Sequence, residues 1–565
     1  MFREEDSDGG AYSALDPASS NRARFGSHMY NYMRNLYILG TGFFLIFAAW
    51  NTVQSLATTI DPSLGNAFLC SLYSTFTLVS ILGPRIVDVL GPKKAMVVGA
   101  IPYLAGVLSF LLPSDWSETN EYVLKISVGI LVGFGAPLLW TGQGVYLSRI
   151  ASKHAMNEEE TSQLPELDVL HYSNRTNEAT NAAKAEFNGI FFSFFQANGI
   201  VGTFGTGLVL VLTQGDSVKA SFTLIFSALG VVCGLGILLF LWFLPDVEPV
   251  EDRNFNKRGE HAAVEDEATV SIYATLKLCF SESKMYLMVP IIFYNGFSLG
   301  FIFGTVPVLA WEKAMGKKFG SFGTSWFYLV NTVATLVAGR YAKQAKKQRR
   351  VMVLATICQL VFFALFVFVP YNSNVACNVE GCYPKSDVGS CFQNTHSKGN
   401  AFPTSQCTPI VHRGNKSMAG DCATCVKYNG ETAGSCSDVE TKSCDGAMCA
   451  WTQCDVLTGT GQMPGAPTLL FLFGGVFLFA VGDAVWESQL PAYLQILFAH
   501  SDKDLNAAMA NLKMWQSLGF AVQFALGIEG MPLYGKPLEV SMIVCAGLLV
   551  VGVISMSPVV WGDQD

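Results

Sequence analysis

Charged residues are scarce in this chain. Asp, Glu, Lys and Arg make up only 14% of its 565 residues, whereas 51% are hydrophobic and the chain contains 53 Gly and 41 Phe. A soluble protein of this length needs a more charged surface, while a lipid bilayer penalises charge and tolerates Gly within helices. The composition therefore predicts a membrane protein. A basic stripe is also missing and the net charge is −8, which argues against a nucleic-acid partner.

The short motifs of enzymes are missing as well. The chain has no Gly-rich phosphate loop, no metal-ligand helix and no nucleophile elbow. Gly133-x-Gly135 lies inside an apolar segment and indicates close helix packing rather than phosphate binding. We therefore expect no catalytic residue, no cofactor, no metal and no enzymatic activity.

The chain does contain long apolar runs. Twelve of them reach the roughly 20 residues that a helix needs to cross a bilayer. The first six lie at about 36–58, 65–88, 95–113, 123–147, 187–213 and 218–245. The other six lie at about 285–311, 319–340, 350–370, 466–495, 505–529 and 537–558. The predicted fold class is all-α, a polytopic membrane protein with twelve transmembrane helices in two six-helix halves. Because the N-terminal segment is polar and acidic, we expect no cleavable signal peptide, and the first span acts as signal anchor.

Polar segments divide the chain into an ordered set of regions. These are a cytosolic tail (1–35), an N-terminal six-helix half (36–245), a cytosolic linker (246–284), a C-terminal six-helix half (285–558) that contains a Cys-rich extracytosolic loop (371–465), and a cytosolic tail (559–565).

The Lys and Arg residues of the short loops predict the orientation in the membrane. With the N-terminus inside, the cytosolic face collects most of them: Arg22, Arg24, Arg34, Arg85, Lys93, Lys94, Arg340, Lys343, Lys346, Lys347, Arg349 and Arg350. The loops at about 59–64, 114–121 and 214–217 hold none, although Lys313, Lys317 and Lys318 count against this orientation. We expect both termini in the cytosol, in the plasma membrane or an endomembrane.

Ten of the fifteen cysteines lie in the loop at 371–465. They are Cys377, Cys382, Cys391, Cys407, Cys422, Cys425, Cys436, Cys444, Cys449 and Cys454. A loop so poor in apolar residues needs covalent links, and an even number of cysteines outside the cytosol predicts five disulfides. The alternative is a zinc site at Cys422-x-x-Cys425 with His396 and His412. Asn415-Lys416-Ser417 is a glycosylation sequon in the same loop.

One polar signature occurs in both halves. Trp140-x-x-Gln143 lies in the fourth span and Trp486-x-x-Gln489 in the tenth, and the next span of each half carries an aromatic-Gln-x-x-Gly that begins at Phe195 or Trp515. Such a repeat suggests a parallel duplication, the arrangement that builds two-halved carriers around a central site. The candidates for a central cavity are Asn51, Gln54, Trp140, Gln143, Gln196, Trp486, Gln489 and Gln516.

Several strings of the first half are specific to one family. They include Asn51-Thr52-Val53-Gln54, Leu90-Gly91-Pro92-Lys93, Leu139-Trp140-Thr141-Gly142-Gln143-Gly144-Val145-Tyr146-Leu147 and Phe187-Asn188-Gly189, with Gly482-Asp483-Ala484-Val485-Trp486 in the tenth span. In these residues the chain resembles the uncoordinated-93 family, the ion-channel regulatory branch of the major facilitator superfamily. The match covers most of residues 35–213. It implies the twelve-helix fold with the N-terminus inside, and relatives that regulate potassium channels or accompany membrane receptors, without an agreed substrate. The Cys-rich loop has no counterpart in this resemblance.

The superfamily's cytosolic gating motif is incomplete here. Its matching residues are Asp88, Gly91, Lys93 and Lys94, but Pro84 replaces the first Gly, Val89 replaces the basic residue after the Asp, and Pro92 interrupts the basic string. The motif locks two helices electrostatically, so one partner is missing unless Arg85 supplies it.

Charged residues inside predicted spans occur together in the second half. Asp483 and Glu487 are four residues apart in the tenth span and share a helix face, and Lys513 lies at a similar depth in the eleventh. Such charges are costly in a bilayer unless they pair or face water. Three interpretations stay open: a structural Glu487–Lys513 ion pair, a site that couples to protons or ions, and span boundaries that differ from these, which would place the charges at the membrane interface.

Two classes of function therefore remain. One is a regulatory or trafficking partner of a membrane channel or receptor, which the incomplete gating motif favours. The other is a secondary transporter of a small solute, with or without ion or proton coupling, which the paired carboxylates favour. Besides the lipid bilayer, the expected partners are a channel or receptor in the first case, and a small solute or ion in the second.

Overall fold

The computed structural model describes the helical part of the chain and a few short strands. The described ranges are 17–60, 62–111, 118–161, 169–212, 218–248, 273–312, 317–369, 376–377, 410–413, 416–419, 425–426, 432–434, 461–462, 466–499, 501–533 and 538–562.

In the described part of the N-terminal half there are seven α-helices, two of which follow each other within one predicted span. They are α1 (Pro17–Ile60), α2 (Pro62–Val79), α3 (Gly83–Leu90), α4 (Pro92–Leu108), α5 (Glu118–Thr161), α6 (Val169–Leu212) and α7 (Val218–Phe243). Gly91 separates α3 from α4 with a φ of +75°, a conformation that favours glycine. Pro92 follows in the first turn of α4, where no backbone N–H is needed. The Leu-Gly-Pro-Lys string is thus a helix end followed directly by a helix start.

The C-terminal half repeats this plan around a longer insertion. Its helices are α8 (Ala274–Ser281), α9 (Ser283–Gly300), α10 (Lys317–Tyr341), α11 (Ala345–Phe368), α12 (Ala466–Leu497), α13 (Asp502–Leu526) and α14 (Leu538–Val560). Two π-helical segments, Phe301–Thr305 and Pro307–Glu312, follow α9 directly in the chain. Irregular turns of this kind inside a span often accompany functional sites.

Within the described residues, nine helical segments are long and apolar enough to cross a membrane. The segments at 187–213, 319–340 and 505–529 are helical for most of their length, in α6, α10 and α13, but are not among the nine. These three helices pack between the halves, α6 against α10 and α13 against α2. A helix that faces protein on several sides tolerates more polar residues than one in lipid. The all-helical fold is confirmed, and the number of twelve spans stays a prediction.

The two halves approach most closely where α6 meets α10. A Cβ atom on Gly189 would lie 2.5 Å from the Cα atom of Gly339, so only glycines allow these backbones to come so near. Further along the same helices, the hydroxyl groups of Thr203 and Ser325 are 2.7 Å apart. This contact fixes the relative position of the two halves on one side of the central region.

Short strands add to the fold in the loop between α11 and α12. They are β1 (Ala376–Cys377), β2 (Ile410–Arg413), β3 (Lys416–Ala419), β4 (Cys425–Val426), β5 (Thr432–Gly434) and β6 (Gly461–Gln462), paired antiparallel as β1–β6, β2–β3 and β4–β5. Only the backbone of these strands is described, so the ten predicted disulfide cysteines, the zinc alternative and the Asn415 glycan lie outside what the structure describes. Among the described side chains, Cys70, Cys233, Cys279, Cys358 and Cys545 are free thiols.

Candidate functional site

A cavity of about 70 Å³ lies between the two halves. That volume holds about five water molecules. Its N-terminal wall consists of Phe47, Trp50, Asn51, Gln54, Tyr73, Phe76, Tyr103, Trp140, Phe195 and Gln196. Its C-terminal wall consists of Leu299, Phe303, Glu487, Lys513, Gln516, Ser517 and Phe520. The structure therefore brings together five of the eight predicted cavity residues with two of the three predicted buried charges.

The polar groups of the N-terminal wall are neutral, and two of them, Asn51 and Gln54, are held by neighbouring helices. Asn51 Nδ2 donates to Asn198 Oδ1 over 3.0 Å, which links α1 to α6. The hydroxyl of Tyr73 donates to Gln54 Oε1 over 3.0 Å, which links α2 to α1. Since both donors and acceptors are buried, these bonds hold the side chains in place at the cavity surface.

The C-terminal wall carries both signs of charge, joined through one amide. Gln516 Oε1 accepts from Lys513 Nζ over 2.7 Å, and Gln516 Nε2 donates to Glu487 Oε1 over 2.9 Å. The same nitrogen also donates to Asn295 Oδ1 of α9 over 2.6 Å. The predicted direct ion pair between Glu487 and Lys513 is therefore corrected, because the charges are bridged by Gln516. The bridge is a longer and more easily interrupted connection than direct contact.

Lys513 also connects the two halves. Its ammonium lies 4.3 Å from the ring centroid of Trp140 on α5, a cation–π contact that strengthens when desolvated. Beyond this pair is a second, smaller cavity of about 10 Å³, also lined by Gln143, Asn188 and Gln495. Gln143 thus faces this smaller space rather than the central cavity. Lys513 and Trp140 form the partition between the two spaces.

Asp483 lies in a different environment from Glu487, although the two are one helical turn apart. Asp483 is fully buried and its Oδ2 accepts from Asn331 Nδ2 of α10 over 2.7 Å. It does not line the central cavity. The two carboxyl groups thus have different partners, since Asp483 bonds to Asn331 of α10 and Glu487 bonds to Gln516 at the cavity.

Trp486 and Gln489 lie outside both cavities, contrary to the expectation from the repeat. Trp486 Nε1 donates to Gln359 Oε1 over 2.8 Å, and the same oxygen accepts from the hydroxyl of Tyr294. Gln489 contacts Ser488 and Gln348. Both residues therefore pack α12 against its neighbours. The expectation from the repeat was wrong for them because the repeated signature does not determine how a helix is rotated about its axis.

Contacts between the halves lie on both sides of the central cavity. At the end where α12 finishes, Asn188 Nδ2 donates to Gln495 Oε1 over 2.7 Å and the buried Lys184 donates to the Gln495 carbonyl over 3.1 Å. Toward the other end, the rings of Tyr73 and Phe520 stack with centroids 4.3 Å apart. Sequence reasoning missed Lys184 and Gln495, which a search for polar residues near the ends of the spans would have found.

The gating-motif remnant makes no electrostatic lock among the described residues. Asp88 and Lys94 are exposed and Lys93 is half-buried. Arg85 is half-buried, and its Nη1 atom has no hydrogen-bond partner. Gly91 serves as the turn between α3 and α4. Arg85 thus does not replace the missing basic partner in this conformation.

The helices and the central cavity have the two-halved arrangement of the major facilitator fold. Residues 176–389 match the Major Facilitator Superfamily. The structure is similar to the human organic anion transporter MFSD10 (TM-score 0.51, 10% identity, 93% of this chain and 99% of that one). It is also similar to FucP in the outward conformation (TM-score 0.51, 11% identity, 94% of this chain and 100% of that one).

Sequence comparisons point to one family within this class of membrane proteins. Residues 57–164 match the family described as ion channel regulatory protein UNC-93. The chain is 22% identical to protein unc-93 homolog A of Homo sapiens, over 94% of this chain and 92% of the relative. It is 27% identical to the Bos taurus homolog, over 61% and 75%. It is 25% identical to UNC93-like protein 3 of Arabidopsis thaliana, over 55% of this chain and 60% of that relative's length. The resemblance to the UNC-93 family expected from the sequence is confirmed.

Proposed function

We propose that this protein is a regulatory or trafficking partner of a membrane channel or receptor. The observation that supports it is the match of residues 57–164 to the ion channel regulatory protein family. This segment includes α2 to α5, so it contributes Tyr73, Tyr103 and Trp140 to the central cavity. A partner that binds one conformation of the two halves better than another changes the population of that conformation, and is itself regulated in return.

The test is co-expression of the full chain with a panel of potassium channels and membrane receptors. Surface density and current of each channel are measured with and without the protein. We expect a change in a restricted set of partners. No change for any of them, with the protein present in the same membrane, would contradict this proposal.

A second function, transport of a small polar solute, is favoured by the chemistry of the cavity. Nine of its seventeen lining residues are aromatic, and a few polar groups, among them Glu487, Gln516 and Lys513, also line it. Small-molecule sites commonly have this composition. The contacts between the halves on both sides of the cavity are the places where a carrier would open alternately. Uptake of a solute panel by vesicles that contain the purified protein tests this function directly.

The two functions are distinguished by Glu487→Gln. This substitution keeps the oxygen that accepts from Gln516 but removes the charge, so folding is expected to be preserved. A carrier that depends on the charged network of Glu487, Gln516 and Lys513 loses uptake in this variant. A regulator that binds its partner outside the cavity keeps its effect on channel density. Loss of both activities would indicate that the cavity and the partner surface act together.

The orientation is part of the proposal. Both termini are proposed to be cytosolic, with residues 371–465 outside or in a lumen, five disulfides among the ten loop cysteines and a glycan on Asn415. Protease protection of terminal tags in sealed vesicles tests the orientation. Thiol counting on the unreduced, denatured protein is expected to detect about five thiols, those of Cys70, Cys233, Cys279, Cys358 and Cys545. About fifteen thiols would contradict the disulfides, and a stoichiometric zinc signal would favour the metal site.

A further inference from the structure

The contact between Asp483 and Asn331 leaves two acceptor atoms without partners. Both side chains have 0% of their surface exposed. Asn331 Nδ2 donates to Asp483 Oδ2 over 2.7 Å. Asp483 Oδ1 and Asn331 Oδ1, the remaining oxygen of each group, have no hydrogen-bond partner. Most buried polar atoms in proteins are hydrogen-bonded, so two unpartnered oxygens on one pair of residues require an explanation.

One proton accounts for both oxygens. A carboxylic acid and a primary amide can meet edge to edge, with each group donating one hydrogen bond and accepting one. The hydrogen bond that the amide of Asn331 donates to Asp483 is present. The second hydrogen bond, between Asp483 Oδ1 and Asn331 Oδ1, needs a hydrogen on the carboxyl group, since two acceptor oxygens share a hydrogen bond only when one of them is protonated.

We propose that Asp483 and Asn331 form a buried proton-binding site, in which Asp483 is protonated on Oδ1 and donates a hydrogen bond to Asn331 Oδ1. The ligand is a single proton, taken from water when the site forms and returned to water when it opens. No other covalent change is involved.

The surroundings of Asp483 agree with a neutral acid. The titratable groups that face it are Glu487 on its own helix, Tyr294 on α9 and Tyr328 on α10. None of these is a cation. The buried cation of this half, Lys513, contacts Gln516 and Trp140 instead. An ionised Asp483 would therefore be a buried charge with one amide donor, which is costly.

The site is separate from the central cavity and is linked to it through the helix. Asp483 does not line the cavity, but Glu487, four residues further along α12, does. The amide partner belongs to α10, which also contacts α6 of the other half. Movement of α10 relative to α12 would remove the amide from the acid, so the affinity of the site for its proton depends on the arrangement of these helices.

Infrared spectroscopy of the purified full-length protein in lipid tests this site. The carbonyl band of a protonated carboxylic acid is recorded at neutral pH for the parent, for Asp483→Asn and for the matched control Glu487→Gln. We expect a band that is lost in Asp483→Asn and retained in Glu487→Gln. We also expect Asp483→Asn to melt no lower than the parent, because its amide N–H takes the place of the acid proton. Retention of the band in Asp483→Asn would overturn the proposal.

Two further measurements keep the test decisive. If Asp483→Asn does not fold, Asn331→Leu serves instead, and the acid band must shift because its amide partner is gone. An unshifted band would overturn the proposal. A sodium ion on the same two oxygens would also satisfy them. The melting temperature of the parent would then rise with sodium at constant ionic strength, while that of Asp483→Asn would not, and this result would replace the proton by a metal ion.

Discussion

The two halves line one cavity with different chemistry. In the N-terminal half, Gln196 lines the cavity as a neutral group, and its Oε1 atom has no hydrogen-bond partner. In the C-terminal half, the corresponding Gln516 connects an acid, a lysine and an asparagine. The two Trp residues of the repeat differ in the same way, since Trp140 contacts Lys513 across the cavity and Trp486 packs within its own half.

This difference shows that a duplicated signature does not imply duplicated roles. The N-terminal half supplies aromatic rings and amides fixed by its own helices. The C-terminal half supplies the charges, which are costly in a bilayer and need partners. One of those partners, Trp140, comes from the opposite half. The charged network thus depends on the position of the N-terminal half, as expected of a site at the interface between two repeats.

Among the variants that test the difference between the two halves, the one that removes Lys513 is expected to lose the most stability. Lys513→Met takes away the cation and leaves Glu487 as a buried charge joined only to an amide. Breaking one partner of a buried charge pair typically costs about 3–5 kcal/mol. Thermal unfolding of the purified protein and its expression level measure the loss.

The control combines Lys513→Met with Glu487→Gln, which removes both charges and keeps the oxygen that accepts from Gln516 Nε2. Most of the stability should return in the double variant. A Lys513→Met protein as stable as the parent would show that Glu487 does not depend on the lysine, and would favour a water-filled cavity around the carboxyl group.

Gln516→Leu and Gln196→Leu form a matched pair across the repeat. Gln516 makes three hydrogen bonds, two of them to charged groups, whereas Gln196 Oε1 makes none. Hydrogen bonds to charged groups contribute about 1.5–3 kcal/mol each. Gln516→Leu loses two such bonds and should lower the free energy of unfolding by about 3–4 kcal/mol, the lower part of their sum because Glu487 and Lys513 still attract each other. Gln196→Leu should lower it by less than about 1 kcal/mol. Equal losses in the two variants would contradict the asymmetry between the halves.

Much of the fold follows from the sequence, but less of the site does. Apolar segments of membrane length are sufficient to predict the helices, because lipid leaves few alternatives to a helix. Glu487 and Lys513 stand out as charges at membrane depth. Asn331 and Tyr73 do not, since neutral polar side chains are common in spans and their partners Asp483 and Gln54 are known only once the helices are packed.

The end of the cavity where α12 finishes is tested by Gln495→Leu. Gln495 accepts from Asn188 and donates to the carbonyl of Gly144 over 3.2 Å, so it joins α12 to two helices of the other half. Loss of these neutral bonds should cost about 1–2 kcal/mol. It should also make a cysteine introduced at position 143 (Gln143→Cys) more reactive toward a water-soluble thiol reagent added on the side of the membrane where α12 ends. Unchanged reactivity would mean that this contact does not separate the smaller cavity from water.

Asp88→Asn is expected to have the smallest effect. In an intact gating motif, the aspartate pairs with a basic residue, and its replacement by asparagine would shift the balance between conformations. Here Asp88 is exposed and makes no ion pair with another described residue, and Val89, 66% exposed, occupies the basic position. An exposed substitution without a partner changes stability by about 0.5 kcal/mol or less. The measurement is the melting temperature together with the labelling rate of the Gln143→Cys cysteine, with Asp88→Ala as a second variant. A clear change in either quantity would show that Asp88 pairs in another conformation, and that the N-terminal half contributes a charged switch after all.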